Sequence, residues 1–364
     1  MRSKILLILL VIISSCNEKK EVFTFQIQER NGLSTNNPVL IDVGDLDITD
    51  LKLFNNGREV PFDFDESSNK IWVIHSSNRS ETYTLESSYK PDSIQQKLIA
   101  LKKDGNLVLG KDNVSLVSYR YEMHYPPKGI DSIFKKSGYI HPILTPKGDT
   151  LTRVNPPDHW HHYGVWGPWT HTRIDTTRVD FWNLIERQGT VLFKEFNSIS
   201  NGDISSGFNA LQHHIDFKTQ PKPQVALKEN LQVKLWDLGR DDRYMLDYTS
   251  TFTTPLEKGI LFEAYRYGGG IGMRFTERWH KDNCKVLTSE GRDRLTADGS
   301  NAKWVIVSGE ASDGNNSNGI LFMSYPENRM HPEPMRVWPI DGNGGRGDMF
   351  FEFCPIRHQE WLIE

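Results

Sequence analysis

The sequence predicts an all-β protein: a small N-terminal β-sandwich followed by a large antiparallel β-sandwich or barrel. Three observations predict it. Short runs rich in β-branched and aromatic residues, many of them alternating, recur from Val22 to the end of the chain. Turn-forming groups such as Gly239-Arg240-Asp241-Asp242, Thr254-Pro255 and Asp313-Gly314-Asn315-Asn316 separate them. No βαβ pattern, dinucleotide fingerprint, phosphate loop or long helix can be placed.

The first segment is an address. Arg2 and Lys4 precede an unbroken aliphatic run, Ile5 to Ile13, and then Ser14-Ser15-Cys16. A basic start, a short apolar stretch and small residues make a secretory signal, and the run is too short to span a bilayer. Ile-Ser-Ser-Cys resembles a bacterial lipobox. Residues 1–16 therefore read as a lipoprotein signal ending at the lipidated Cys16, and 17–21 as a polar tether. The expected location is the outer membrane of a Gram-negative bacterium, on the periplasmic or the surface face.

Residues 22–98 read as the small sandwich. EVFTFQIQ puts Phe23, Phe25 and Ile27 on one face, and Asn55-Asn56-Gly57 between two strand-like runs is a hairpin signature. KIWVIHSS and ETYTLESSY supply further strands, and KPDSIQQKLIALKKDG reads as a linker or a crossing strand. Residues 99–364 read as the large unit. NLVLGKDNVSLVSYRYEMHY, VALKENLQVKLWD, RYMLDYTSTFTT, GILFEAYRYGG, KWVIVSGEA and NGILFMSY are its strand candidates. The closing EWLIE still reads as strand, which leaves room for a further one. Only Cys284 and Cys354 follow the lipobox, a pair at most and no disulfide framework.

Charge narrows the function. With 43 Lys+Arg against 47 Asp+Glu and a net charge of −4, there is no basic face for nucleic acid. Ten tryptophans point toward platforms for sugar rings, although core packing uses tryptophan as well.

Five stretches carry candidate chemistry. DHWHHYGVWGPWTHT, Asp158 to Thr172, concentrates four histidines and three tryptophans. Read as a strand from His159 to Trp166, it puts His159 and His161 on one face and His162 on the other. His159 and His161 would then be two ligands of a divalent ion such as Zn²⁺ or Ca²⁺, or acid/base groups without metal. Trp166 and Trp169, with Trp182 further on, would floor a sugar site. GYIHPILTPKGDTLT offers His141, and RVDFWNL offers Asp180 beside Trp182. EAYRYGGGIGMRF offers Glu263 and Arg274, its glycines allowing a bend or close approach to a ligand. NRMHPEPMRVWPIDGNGG offers His331, Glu333 and Arg336.

Together these motifs resemble a family. His141-Pro142 with Thr145-Pro146-x-Gly148, Pro157-Asp158-His159-x-His161-His162-x-Gly164, Asp180-Phe181-Trp182, the Gly269 to Arg274 glycine run, Lys303-Trp304-Val305 and His331-Pro332-x-Pro334 are similar to the PmoA-like bacterial family, a domain of unknown function. Tyr163 departs from the Arg expected there. The resemblance implies a fold similar to the galactose-mutarotase-like supersandwich, much used by sugar-processing proteins. The expectation is a lipid-anchored carbohydrate-active hydrolase or lyase acting on a glycan or modified glycoside. Its catalytic residues would come from His159, His161, His162, His141, Asp180, Glu263 and His331, and substrate contacts from Trp166, Trp169, Trp182, Arg274 and Arg336. The alternative is a surface glycan-binding lipoprotein without catalysis. A copper-dependent redox enzyme and an assembly lipoprotein are the lesser readings.

Overall fold

The computed structural model describes residues 22–28, 36–46, 51–65, 68–76, 78–87, 97–219 and 223–364. The signal, Cys16, the tether and positions 90–96 of the linker lie outside the described residues, and the rest of that stretch carries the strand Leu98–Lys103. The fold is all-β: among the described residues every strand pairing is antiparallel, and the helical turns are two single 3₁₀ turns, Ser132–Phe134 and Leu184–Glu186. Among the described residues no helix is long and apolar enough to cross a membrane.

Two N-terminal sheets face each other. One orders Val22–Ile27, Glu81–Ser87, Leu51–Asn55 and Arg58–Val60; the other orders Asn37–Asp42, Lys70–His75 and Phe62–Asp65. Alternation does here what period 2 dictates. Phe25, Ile27, Leu53, Ile71, Val73 and Leu85 turn inward to form one core. The Asn-Gly hairpin forms as the sequence predicts: Asn56 and Gly57 both take positive φ, the geometry a two-residue turn needs.

The rest is built on a nine-stranded sheet running from Leu98–Lys103 through Asn106–Lys111, Val114–Arg120, Tyr139–Ile143, Val165–Trp166, Gly272–Arg274, Phe350–Phe353 and Glu333–Val337 to Asn301–Ala302. Two smaller sheets cover it and share its core. One is made of the long strands Gly189–Ser200, Ser205–Asp216, Gln224–Trp236 and Met245–Thr253, contributing Phe208, Leu231 and Val233. The other is Cys284–Thr288, Trp304–Glu310 and Ser317–Met323, contributing Val286, Val305 and Phe322. The arrangement is a sandwich with one shared sheet. A further sheet pairs Thr177–Val179, Thr172–Ile174, Ile260–Phe262 and Trp361–Ile363, so EWLIE does end in a strand. Cys284 and Cys354 are both buried and unpaired.

The N-terminal sheets dock on the long-stranded sheet through Asp63 and through an apolar cluster in which Trp72 and Ile74 pack with Ile204, Trp236 and Leu238. The Asp63 carboxylate accepts the backbone N–H of Asp203 at 2.7 Å and of Ile204 at 3.2 Å, and the Ser205 hydroxyl as well. Beside it Trp72 meets Trp236 edge-on, with ring centroids 4.9 Å apart.

Candidate functional site

Of the strand expected from His159 to Trp166, only Val165–Trp166 forms. Prolines 156 and 157 remove two ladder donors, and the chain folds into two successive turns, His159 N–H to Pro156 O and His162 N–H to His159 O. Asn155, at φ +45°, holds the turns from below: its backbone N–H donates to His162 O, and its side-chain amide donates to Trp160 O. Gly164, at φ +63°, returns the chain to the sheet where a Cβ would strike the Ile140 carbonyl. The result reverses the facing predicted for a strand. His159, His161 and His162 gather on one side, with ring centroids 4.7 to 5.4 Å apart.

They open on a cleft of about 230 Å³, lined also by Thr170, His171, Asp180, Trp182, Asn183, Tyr265, Arg266, Tyr267 and Trp338. Each histidine has a different environment. His159 is a third exposed, and its Nδ1 lies 2.9 Å from Asp158 Oδ2. Asp158 is bound in turn at 2.7 Å by the fully buried Arg274, which also reaches Asp348 at 3.0 Å and lies under the Trp338 ring. Burial pushes the Asp158 carboxyl up, but the His159 and Arg274 contacts outweigh it and hold it down at about 2. An ionised Asp158 selects the His159 tautomer with the proton on Nδ1, leaving the Nε2 lone pair for the cleft.

His162 is fully buried between Trp182, Trp166, Phe350 and Trp338, and neither ring nitrogen has a hydrogen-bond partner. Burial, then His161 and Arg274, keep it neutral. A buried polar ring left unpaired costs on the order of 1–3 kcal/mol, and such groups mark functional sites. His161 is held at about 3, first by burial and then by His159. On the far side His171 stacks on Tyr265, centroids 3.5 Å apart, and burial with Arg178 lowers it to about 4.

Asp180 sits at the start of the second 3₁₀ turn. Its Oδ1 accepts the backbone N–H of Trp182 at 2.8 Å and of Asn183 at 2.7 Å. Both bonds favour the anion, yet burial dominates and raises the carboxyl to about 6. Trp182 packs on His162, and its indole N–H donates to His161 O at 3.2 Å, tying the Asp180 turn to the histidine turn.

The structure corrects several expected site residues. Trp166 and Trp169 are buried to 3% and 1% exposure. Trp166 underlies His162, and Trp169 packs on Phe252 and Phe262, so neither can floor a sugar site. The glycine run serves that packing: a Cβ on Gly269, at φ +70°, would enter the Trp169 ring. Glu263 is taken up by Arg173 and Arg178 and does not line the cleft, so it cannot be a second catalytic carboxylate there. His141 bonds Thr152 Oγ1 at 2.9 Å, outside the cleft lining, where burial lowers it to about 4. His331 bonds Ser324 Oγ, which also donates to Glu333, away from the cleft lining. Arg274 is too deep to touch a ligand and acts through Asp158. Arg336 bonds Asp298 at 2.7 Å and the Tyr267 hydroxyl at 3.3 Å, behind the wall of the cleft.

The zinc or calcium ion expected at His159 and His161 does not fit this donor set. Among the described residues no group of three or more His, Cys, Asp or Glu is arranged to hold a metal, so His159 and His161 lack a third ligand. The cleft residues without an assigned role in the sequence reading are Thr170, His171, Asn183, Arg266 and Trp338.

The chain belongs to a family of unknown function, DUF6807, whose model matches residues 106–364. No curated protein and no solved structure matches it.

Proposed function

We propose that the cleft is the active site of a carbohydrate-active enzyme, a hydrolase or lyase that cleaves a glycan or modified glycoside by metal-free acid–base chemistry. One observation carries the reading: an Asp-oriented histidine, His159, and a carboxyl raised to about 6, Asp180, line the same cleft. Groups whose environments push their protonation apart are the mark of an acid/base pair. His159 Nε2 takes the proton, from water in hydrolysis or from a carbon next to a carbonyl in elimination. Asp180 delivers one to the leaving oxygen as the C–O bond breaks. Hydrolysis adds one water across that bond; elimination leaves a C=C double bond and consumes no water.

Among the described residues Asp180 is the one carboxylate lining the cleft, so the two-carboxylate retaining mechanism finds no second partner among them. His162 and His161, neutral and desolvated, stand ready as hydrogen-bond partners for the developing charge. Trp182, Trp338, Tyr265 and Tyr267 present ring surface, which supports sugar as the substrate class. The PmoA-like resemblance, with its likeness to the galactose-mutarotase-like supersandwich, supports the same reading by analogy. The proposal includes export and lipid anchoring through Cys16, which rest on the leader sequence.

The aromatic lining also supports a second reading, a surface lipoprotein that binds glycan without cleaving it. Asp180→Asn and His159→Ala separate the two. Both variants should fold and bind glycan yet lose at least about a hundredfold in turnover. Full turnover in either variant removes that residue from the mechanism. Binding without product in the wild type selects the second reading.

A further inference from the structure

The arginines around the cleft are, with one exception, ion-paired to a carboxylate. Arg274 holds Asp158 and Asp348, Arg336 and Arg357 share Asp298, and Arg173 and Arg178 share Glu263. Arg266 differs. It lines the cleft, its side chain is exposed, and among the described residues no carboxylate is ion-paired with it. Its guanidinium lies over the Tyr267 ring, 5.3 Å from the centroid, which fixes its direction without neutralising it. Its backbone is anchored as well, since the Arg266 carbonyl accepts Arg357 Nη1 at 3.2 Å.

The rest of the lining agrees. Imidazoles of His159, His161, His162 and His171 offer ring nitrogens, Asn183 and Thr170 can donate, and the opposing charge is limited to Asp180, which also titrates unusually high. The cleft thus holds an oriented guanidinium with no carboxylate of the described residues ion-paired to it, free to bind an anionic group of a ligand. Planar guanidinium matches planar carboxylate through two parallel hydrogen bonds, and arginine is the residue suited to that match.

Resting on the carbohydrate reading above, we infer that the substrate is an acidic sugar, a uronate whose carboxylate is bound by Arg266. Arg266 is then the residue that sets specificity, apart from the acid/base pair that performs the cleavage.

The test is calorimetric binding to galacturonate, mannuronate and glucuronate oligosaccharides, each beside its methyl ester, with a sulfated oligosaccharide and a cello-oligosaccharide as further probes. The wild type should bind one free uronate at least about tenfold more tightly than its ester, the size of a charge-assisted contact. Arg266→Gln should bring that ratio close to one, and Arg266→Lys should restore part of it. Equal affinity for acid and ester, or a ratio that Arg266→Gln leaves unchanged, overturns the inference and leaves the carbohydrate reading standing. Tighter binding of the sulfated probe overturns the carboxylate assignment. No binding to any of these glycans overturns the inference and the carbohydrate reading together.

Discussion

Replacing Asp180 by Asn should make the protein more stable and, as an enzyme, inactive. The asparagine Oδ1 can keep both amide bonds, from Trp182 N–H and Asn183 N–H, so the turn survives. What changes is the charge. Burial raises the Asp180 carboxyl from 3.8 to about 6, so above pH 6 the fold carries an anion that it would release by protonation. A raised folded-state value means that stability is fully present below about pH 4 and is lost as pH rises through about 6. The displacement of about two pH units corresponds to about 3 kcal/mol. Urea unfolding of wild type and Asp180→Asn from pH 4 to pH 8 measures it. The two should nearly coincide at pH 4 and diverge to about 3 kcal/mol in favour of the variant at pH 8. A gap independent of pH, or a variant less stable at pH 8, would refute the claim that this carboxyl is desolvated for function.

Asp158→Asn removes one of two carboxylates from the buried Arg274 and should destabilise the protein by about 2 kcal/mol at pH 7. Because Asp158 is held down at about 2, that gap should shrink as pH falls from 4 toward 2, which urea unfolding across that range reads directly. The same variant should shift the His159 proton between ring nitrogens, visible in nitrogen chemical shifts; an unchanged tautomer would remove Asp158 from its orienting role. Gly269→Ala drives a methyl into the Trp169 ring at positive φ and should cost about 3 kcal/mol or more, or prevent folding; unchanged thermal unfolding contradicts the packing described. Asp63→Ala frees the two amide N–H groups and the hydroxyl it binds on 203–205, so limited proteolysis should release the N-terminal sheets faster while leaving the cleft intact.

Much of this fold is written in local chemistry. Phe23-x-Phe25-x-Ile27, Asn56-Gly57 and the alternating Gln224–Trp236 each specify their own conformation, since period 2 and a two-residue turn need no distant partner. Gly189–Ser200 and Ser205–Asp216 are harder to read. Charged and polar residues break the alternation of the first, two register shifts against its neighbour obscure its period, and their pairing is set across the sheet.

The site was legible in its residue types and not in its geometry. His159, His161, His162, Asp180 and Trp182 do converge, and the density of histidine and tryptophan is the signal that finds them. Alternation misleads at this stretch because Pro156 and Pro157 turn the chain, and turns place consecutive side chains together where a strand separates them. All four of Trp166, Trp169, Trp182 and Trp338 are largely buried, and distant partners decide which reach the cleft: Phe252 and Phe262 take Trp169 away from it, whereas Trp182 and Trp338 line it. Arg266 and Trp338 lie within two of the five stretches singled out from sequence, EAYRYGGGIGMRF and NRMHPEPMRVWPIDGNGG, but which of their residues reach the cleft is set by distant packing.

The measurement that tests the central claim most directly is product analysis by mass spectrometry. The protein is incubated with neutral and acidic plant and algal glycans, with and without chelator, alongside His159→Ala and Asp180→Asn. The account predicts cleavage that survives chelation and is lost in both variants. Product masses would sum either to the substrate plus one water, for hydrolysis, or to the substrate itself with one unsaturated end, for elimination. Cleavage that persists in both variants, or that a chelator abolishes, would contradict it.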